Sequence, residues 1–238
     1  MTTKPLIIAH RGASGLVKFE NTLASFAKAI ELGVSMVEFD VRKTQDNLLV
    51  AFHDESIDGI KLRDLTYQQL LNISQKKGFD VPLVEDVLKL CQRKIKLDIE
   101  LKEAGYELEI VNLVKKYLDY QDYVIKSFID TAIITLKKTD NKITTGLLLG
   151  LGNPQNFILT RLSEIFPEFR LLLTKADFVS PNYQLIKLGF VWRMKILNKN
   201  IYVWTINDEK LMSKIIKKGI FALITDRPDL ALKLFDSN

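Results

Sequence analysis

The strongest constraint on how this chain can fold is an alternation. Eight short apolar runs recur along it, at Leu6–Ala9, Met36–Val41, Ile95–Leu101, Tyr123–Lys126, Thr144–Leu149, Phe178–Val179, Ile201–Thr205 and Ala222–Thr225. Between them lie amphipathic stretches, among them Asn21–Leu32, Val84–Gln92, Glu107–Tyr117, Thr131–Lys138 and Glu209–Lys218. In the first of these, Leu23, Phe26, Ala27 and Ile30 recur at helical spacing, and Gly33 stands where a left-handed residue stops a helix. Strands that read apolar throughout and alternate with helices imply a parallel sheet. Eight such units predict an α/β fold, a closed (β/α)8 TIM barrel, which takes about this length as one domain. A doubly wound open sheet is the alternative, but the Gly-x-Gly-x-x-Gly dinucleotide fingerprint is absent. No Pro/Gly/Ser linker and no internal repeat divides the chain, so residues 1–238 are expected to form a single barrel domain. One irregularity follows the second strand. Leu48–Phe52 reads as an extra β segment, and a polar excursion, residues 53–81, comes after it. In a barrel this is a lengthened loop between the second strand and the second helix, on the face where chemistry takes place.

Composition excludes several classes. Hydrophobic residues make up 47% and charged residues 26%, enough to build a large core without disulfide or structural metal. The one cysteine, Cys91, cannot form an intramolecular disulfide and sits in the apolar run Leu88-Lys89-Leu90-Cys91, where it reads as a packing thiol. No stretch approaches the ~18 apolar residues of a membrane span. The apolar run Leu6–Ala9 is too short for a signal-peptide core, so a cytoplasmic protein without a stable membrane anchor is expected. The net charge of +5 comes from lysines scattered in ones and twos, such as Lys76-Lys77 and Lys137-Lys138. Without a dense basic stripe interleaved with aromatics, nucleic acid is not expected as a partner. Oligomeric state is left open.

Candidate chemistry clusters at the ends of the first three strands. The two histidines of the chain, His10 and His53, each terminate an apolar β-type run. In the second strand, Glu38 and Asp40 are two residues apart and therefore point to one side. Two carboxylates on one side of an apolar strand are costly unless a cation neutralises them, whether Arg42, Lys43 or a metal. The third strand places Asp98, Glu100 and Lys102 on one face, alternating with Leu97, Ile99 and Leu101. Glu100 completes a candidate three-carboxylate site with Glu38 and Asp40, and all-oxygen ligation favours a hard divalent metal, Mg2+ or Ca2+, over zinc. Together with Arg11 and Lys102 this inventory suits hydrolysis of a phosphate ester. Cationic groups hold the non-bridging oxygens while histidines move protons.

These residues stand in motifs that resemble the glycerophosphodiester phosphodiesterase family. They are His10-Arg11-Gly12, Glu20-Asn21-Thr22, Val37-Glu38-Phe39-Asp40-Val41, Thr44-x-Asp46, His53-Asp54 and Asp98-Ile99-Glu100-Leu101-Lys102. Towards the C-terminus, Trp204-Thr205-Ile206-Asn207 and Ile224-Thr225-Asp226-Arg227-Pro228 continue the series. The resemblance implies a barrel, a divalent metal on Glu38, Asp40 and Glu100, an acid/base pair of His10 and His53, and phosphate contacts from Arg11 and Lys102. The substrate it implies is a small glycerophosphodiester, cleaved to glycerol phosphate and an alcohol. It also implies attack by a glycerol hydroxyl to give a cyclic phosphate, whereas the residues themselves leave direct attack by water equally open. Two departures stand out: Phe19 replaces the usual proline, and Glu55-Ser56-Ile57-Asp58-Gly59 replaces the usual continuation after His53-Asp54. The second bears on the alcohol end of the substrate. Trp204 is a candidate apolar wall beside the substrate or a barrel-core aromatic. Asn207 and Asp226 read as helix caps first and as weaker site candidates second, and Gly12 and Gly15 as loop glycines, with close approach of phosphate a further role open to Gly12. The alternatives are a lysophospholipase D-type phosphodiesterase, for which no amphipathic insertion helix is evident, and a noncatalytic barrel that binds anions or lipid head groups.

Overall fold

Alternation of side chains along each apolar run decides the architecture. The computed structural model describes residues 4–150, 152 and 156–236. In chain order the strands are β1 (Leu6–Ala9), β2 (Met36–Lys43), β3 (Leu49–Ala51), β4 (Ser56–Ile57), β5 (Ile60–Lys61), β6 (Lys96–Leu101), β7 (Tyr123–Ser127), β8 (Thr145–Leu149), β9 (Phe178–Pro181), β10 (Asn200–Val203) and β11 (Ala222–Thr225). The helices are α1 (Leu23–Glu31), α2 (Tyr67–Lys76), α3 (Val84–Cys91), α4 (Glu107–Val114), α5 (Asp130–Thr139), α6 (Phe157–Ile165), α7 (Glu168–Thr174), α8 (Phe190–Ile196), α9 (Glu209–Ile216) and α10 (Pro228–Asp236). Strands β1, β2 and β6 to β11 pair in parallel, and β1 bonds both β2 and β11, so the eight close into a (β/α)8 TIM barrel. All eight apolar runs are barrel strands, with ends within two residues of the expected ones. Helices α2, α6, α7, α8 and α10 fall outside the stretches named from periodicity.

Successive residues of a strand face opposite sides, and here odd and even positions divide cleanly. Ile7, Val37, Phe39, Leu97, Ile99, Ile125, Leu147, Val179 and Leu223 join the large core under the helices. Ile8, Met36, Val124, Phe178, Tyr202, Ala222 and Ile224 fill the barrel interior in a second cluster. Gly146 makes room there for the Phe178 ring, which a Cβ at this position would meet at 2.2 Å. The same inward parity continues along the strands through Glu38, Asp40, Asp98, Glu100 and Lys126, so polar layers stack on an apolar plug.

The first helix begins at Leu23, directly after the Glu20-Asn21-Thr22 motif. The Thr22 side chain accepts from Ser25 N, and the Ser25 hydroxyl accepts from Thr22 N, closing a capping box. Gly33 takes the expected left-handed conformation after the last turn. The insertion after β2 is less of an open loop than its polarity suggests. Strand β3 pairs antiparallel with β2, β4 and β5 form a hairpin, and α2 follows. Val50, Ile57, Leu62, Leu65, Leu70 and Val81 enclose a small core of their own. Among the described residues no helix is long and apolar enough to cross a membrane.

Candidate active site

The register of β2 against β6 brings the carboxylates together, with Glu38 opposite Asp98 and Asp40 opposite Glu100. One ligand oxygen from each of Glu38, Asp40 and Glu100 lies within 4.8 Å of the others. All three are buried, and Asp98 beneath them is fully so. Such a concentration of negative charge away from water requires counter-charge at close range. Lys102, two residues beyond Glu100, supplies part of it: its Nζ is 2.9 Å from Asp40 Oδ1 and donates to Glu100. Arg11 supplies more, with Nε 3.2 Å from Asp40 Oδ2 and Nη1 donating to Glu20 at 2.7 Å. Asn21 Nδ2 donates to Asp40 Oδ2 at 2.8 Å, and Arg11 N donates to Glu38 Oε2 at 3.0 Å. The sequence reading missed Lys126. Its buried Nζ donates to Asp98 Oδ2 at 2.7 Å and lies 3.4 Å from Glu38 Oε1. The signal was present, since Lys126 is the one charged residue inside an otherwise apolar strand.

These contacts divide the carboxylates electrostatically. Burial opposes ionisation of Asp40, but Lys102, Arg11 and His53 outweigh it and hold the group well below the usual carboxylate range. Glu100 has fewer compensating neighbours: burial pushes it up to about 7, and Asp40 and Glu38 add to the rise against Lys102. Asp98 is likewise raised by burial, to about 6, in spite of Lys126. Lys126 stays an ammonium because Asp98, Glu38 and Glu100 outweigh its own desolvation.

Two histidines flank this cluster. His10 follows β1, where its N–H bonds Thr225 O across the closing pair of strands. Its Nδ1 is 2.6 Å from Asp226 Oδ1, and its Nε2 is 3.9 Å from Glu38 Oε2. Burial depresses His10, but Glu38 and Asp226 reverse this and raise its pKa above the ordinary value. His53 lies at the start of the insertion, with Nδ1 2.7 Å from Asp54 Oδ1 and its backbone carbonyl accepting from Arg42 Nε at 2.9 Å. Its pKa is lowered, by burial and then by Lys102. Each ring thus has one nitrogen bound to a carboxylate, which fixes its orientation.

Two expectations are corrected here. Asp226 is not a helix cap: its carboxylate accepts from Ser14 Oγ at 2.7 Å and Asn207 Nδ2 at 2.6 Å while holding His10. These bonds overcome burial and depress Asp226 to about 2. Nor does Asn207 cap the following helix, since Asp208 does so by accepting from Leu211 N at 2.8 Å. The glycine at position 12 serves loop geometry against α1. Its φ of 82° is left-handed, and a Cβ there would fall 2.2 Å from Ser25 Oγ and 2.7 Å from the Ser25 carbonyl carbon.

A cavity of about 630 Å³ opens above the carboxylates, lined by His10, Arg11, Glu38, His53, Glu100, Lys102 and Lys126 on one side. Phe128, Gly150, Asn182 and Trp204 line the other. Trp204 is both barrel aromatic and wall. Its Nε1 donates to Ser180 O at 2.7 Å, and its ring meets Phe128 edge to face at 5.8 Å. A second cavity, about 340 Å³, shares His53 and is bounded by Phe19, Phe52, Asp54, Ile57, Asp58 and Phe79. Phe19 stacks on Phe79 at 4.9 Å, so the departure from proline at this position joins the loop to the insertion. The donor set of Glu38, Asp40 and Glu100 fits a hard divalent cation: oxygen atoms only, converging, buried and beside an open cavity.

The family model for the glycerophosphoryl diester phosphodiesterase family matches residues 10–230. The chain belongs to this family. Among its relatives, a glycerophosphodiester phosphodiesterase of Caldanaerobacter subterraneus is 29% identical over 249 residues, covering 97% of this chain and 98% of that one. A glycerophosphodiester phosphodiesterase from Parabacteroides distasonis superposes with a TM-score of 0.83 at 26% identity, over 98% of each chain. A phosphodiesterase of Oleispira antarctica, solved with sn-glycerol-3-phosphate as product, shares the fold with a TM-score of 0.82 at 24% identity, over 98% of this chain and 97% of that one. Members are phosphoric diester hydrolases, and His10, Arg11, Glu38, His53, Glu100, Lys102 and Trp204 from the motifs that carry the family resemblance line the larger cavity.

Proposed function

We propose that this enzyme hydrolyses small glycerophosphodiesters to glycerol phosphate and an alcohol, using a divalent cation, Mg2+ or Ca2+, on Glu38, Asp40 and Glu100. The observation that carries this reading is the convergence of that carboxylate cluster with His10, His53, Arg11 and Lys102 at one cavity. A bound cation supplies Lewis-acid stabilisation of charge on the phosphoryl oxygens. Arg11 and Lys102, which pair with Asp40 and Glu100 in the free protein, are near enough to turn to those oxygens when the carboxylates engage a cation. One histidine takes the proton of the attacking oxygen, either water itself or a glycerol hydroxyl whose cyclic phosphate water then opens, and the other delivers a proton to the departing alkoxide oxygen. Asp226 and Asp54 keep the two rings oriented for these transfers. Trp204 and Phe128 wall off one side of the substrate. The smaller cavity beyond His53 offers the alcohol an aromatic-lined pocket.

The test is release of glycerol phosphate from a panel of glycerophosphodiesters and lysophospholipids, before and after chelation, with Mg2+ or Ca2+ restored. Full turnover in chelator would remove the metal from the mechanism. General acid–base catalysis contributes roughly 10²–10⁴-fold, so His10→Ala and His53→Ala should each lose about that much. A nitrophenyl ester, whose leaving group needs little protonation, should rescue only the variant lacking the acid. Near wild-type turnover of both variants on a natural diester would refute the two-histidine scheme.

A further inference from the structure

Helix α6 wears its hydrophobicity on the outside. Its one buried residue is the acid Glu164, whereas Phe157, Ile158, Leu159 and Leu162 are between 50% and 70% exposed. The inversion has an internal cause. Glu164 Oε1 accepts from Gly150 N at 2.8 Å and pairs with Arg161, so the polar side of α6 is tied to the rim of the active-site cavity that Gly150 lines. Helices α7 and α8 extend the same surface with exposed Phe169, Leu172, Trp192 and Ile196. Arg193 of α8 joins the three, pairing with Glu168 of α7, donating to Ile165 O of α6 and stacking 4.5 Å over Phe166. Of the seventeen large hydrophobic residues exposed among the described residues, twelve fall between 157 and 197, on the segment whose helices Arg193 ties together.

The charges around it choose an occupant. Residues 157–199 hold seven Lys and Arg against three acids, Glu164, Glu168 and Asp177, and each acid is paired with a cation. Lys175, Lys187 and Lys195 are exposed and make no ion pair with the described residues. A second copy of the same face would set these lysines against like charges. An anionic lipid surface instead offers hydrocarbon to the apolar side chains, an interface for Trp192, and phosphates to the lysine tips. We propose that the outward faces of α6, α7 and α8 form a peripheral docking surface for an anionic lipid bilayer. Docking would bring the rim at Gly150 to the lipid–water boundary.

The experiment is vesicle flotation of the whole protein, with binding read apart from turnover of a soluble glycerophosphodiester. Vesicles mixed from phosphatidylglycerol and phosphatidylcholine should carry the protein, and phosphatidylcholine alone should carry much less. Added salt should reduce the difference. The emission of Trp192 should shift to the blue on binding, and the shift should vanish in Trp192→Phe. Ile158→Asp/Leu162→Asp, one helical turn apart and outside the catalytic cavity, should lower partitioning by about tenfold or more while turnover of the soluble diester stays at the wild-type rate. Retained turnover in that variant shows that it is folded, and loss of all activity in the wild type would fault the catalytic reading instead of the docking. Docking is overturned if wild-type protein does not float on the anionic vesicles, or if the double variant floats as well as wild type. It is also overturned if the protein forms a lipid-free dimer that the double variant dissociates, which assigns the face to a second copy.

Discussion

Lys126 tests the electrostatic construction of the barrel. Its ammonium is 2% exposed, 2.7 Å from Asp98 and 3.4 Å from Glu38, so Lys126→Met leaves two buried carboxylates facing each other without their shared cation. Breaking a buried ion pair from one side costs about 3–5 kcal/mol, because the remaining charge keeps its desolvation penalty and loses its partner. For a chain of this size each kcal/mol moves Tm by roughly 2–4 °C, so the variant should melt about 6–20 °C below wild type. Lys126→Met/Asp98→Leu removes both charges of the lower pair and replaces them with apolar groups beside the plug formed by Met36, Val124 and Tyr202. It should recover more than half of the loss. The assay is thermal unfolding by circular dichroism at pH 7.5 in chelator, which keeps metal out of the comparison. If Lys126→Met melts within about 2 °C of wild type, or the double variant melts lower still, the pair does not carry the interior charge as argued.

Arg11→Lys should cut kcat/KM on a glycerophosphodiester by at least about tenfold, because a point ammonium cannot reproduce the planar fork that reaches both Glu20 and the Asp40 side of the site; wild-type kinetics would place Arg11 outside the reaction. Asp226→Asn keeps the shape of the group that positions His10 but not its charge, and should lower kcat by about 10–100-fold with little change in KM. A change confined to KM would mean that Asp226 serves substrate binding instead. Burial pushes the Cys91 thiol up to about 12, so thiolate is scarce at pH 8 and a disulfide reagent should modify the folded protein only after unfolding in denaturant. Rapid modification in the native state would contradict the packing assignment.

Much of this molecule is legible along the chain because strand periodicity is local. A two-residue spacing puts Glu38 with Asp40, and Asp98 with Glu100, on one face whatever the rest of the chain does. The stop at Gly33 is likewise decided within one turn of helix. The eight apolar runs, alternating with helices, leave few architectures besides a closed parallel barrel. Pairings between distant elements are another matter. Asp226 reaches His10 across 216 residues because closure sets β11 beside β1, and no local signal separates this aspartate from a helix cap. Lys126 meets Asp98 and Glu38 because β6 and β7 align in one register, which the hydrophobicity of β7 does not encode. The insertion reads as polar because its few apolar residues are dispersed, and three-dimensional proximity collects them into a small core. Helix α6 is the opposite case, apolar in sequence yet outward in the fold, because the bond from Gly150 N to Glu164 takes its inner face. The sequence by itself determined which side chains share a face, since that follows from backbone geometry over a few residues. Only the tertiary structure decided which faces meet, since that depends on register and closure between segments far apart in the chain.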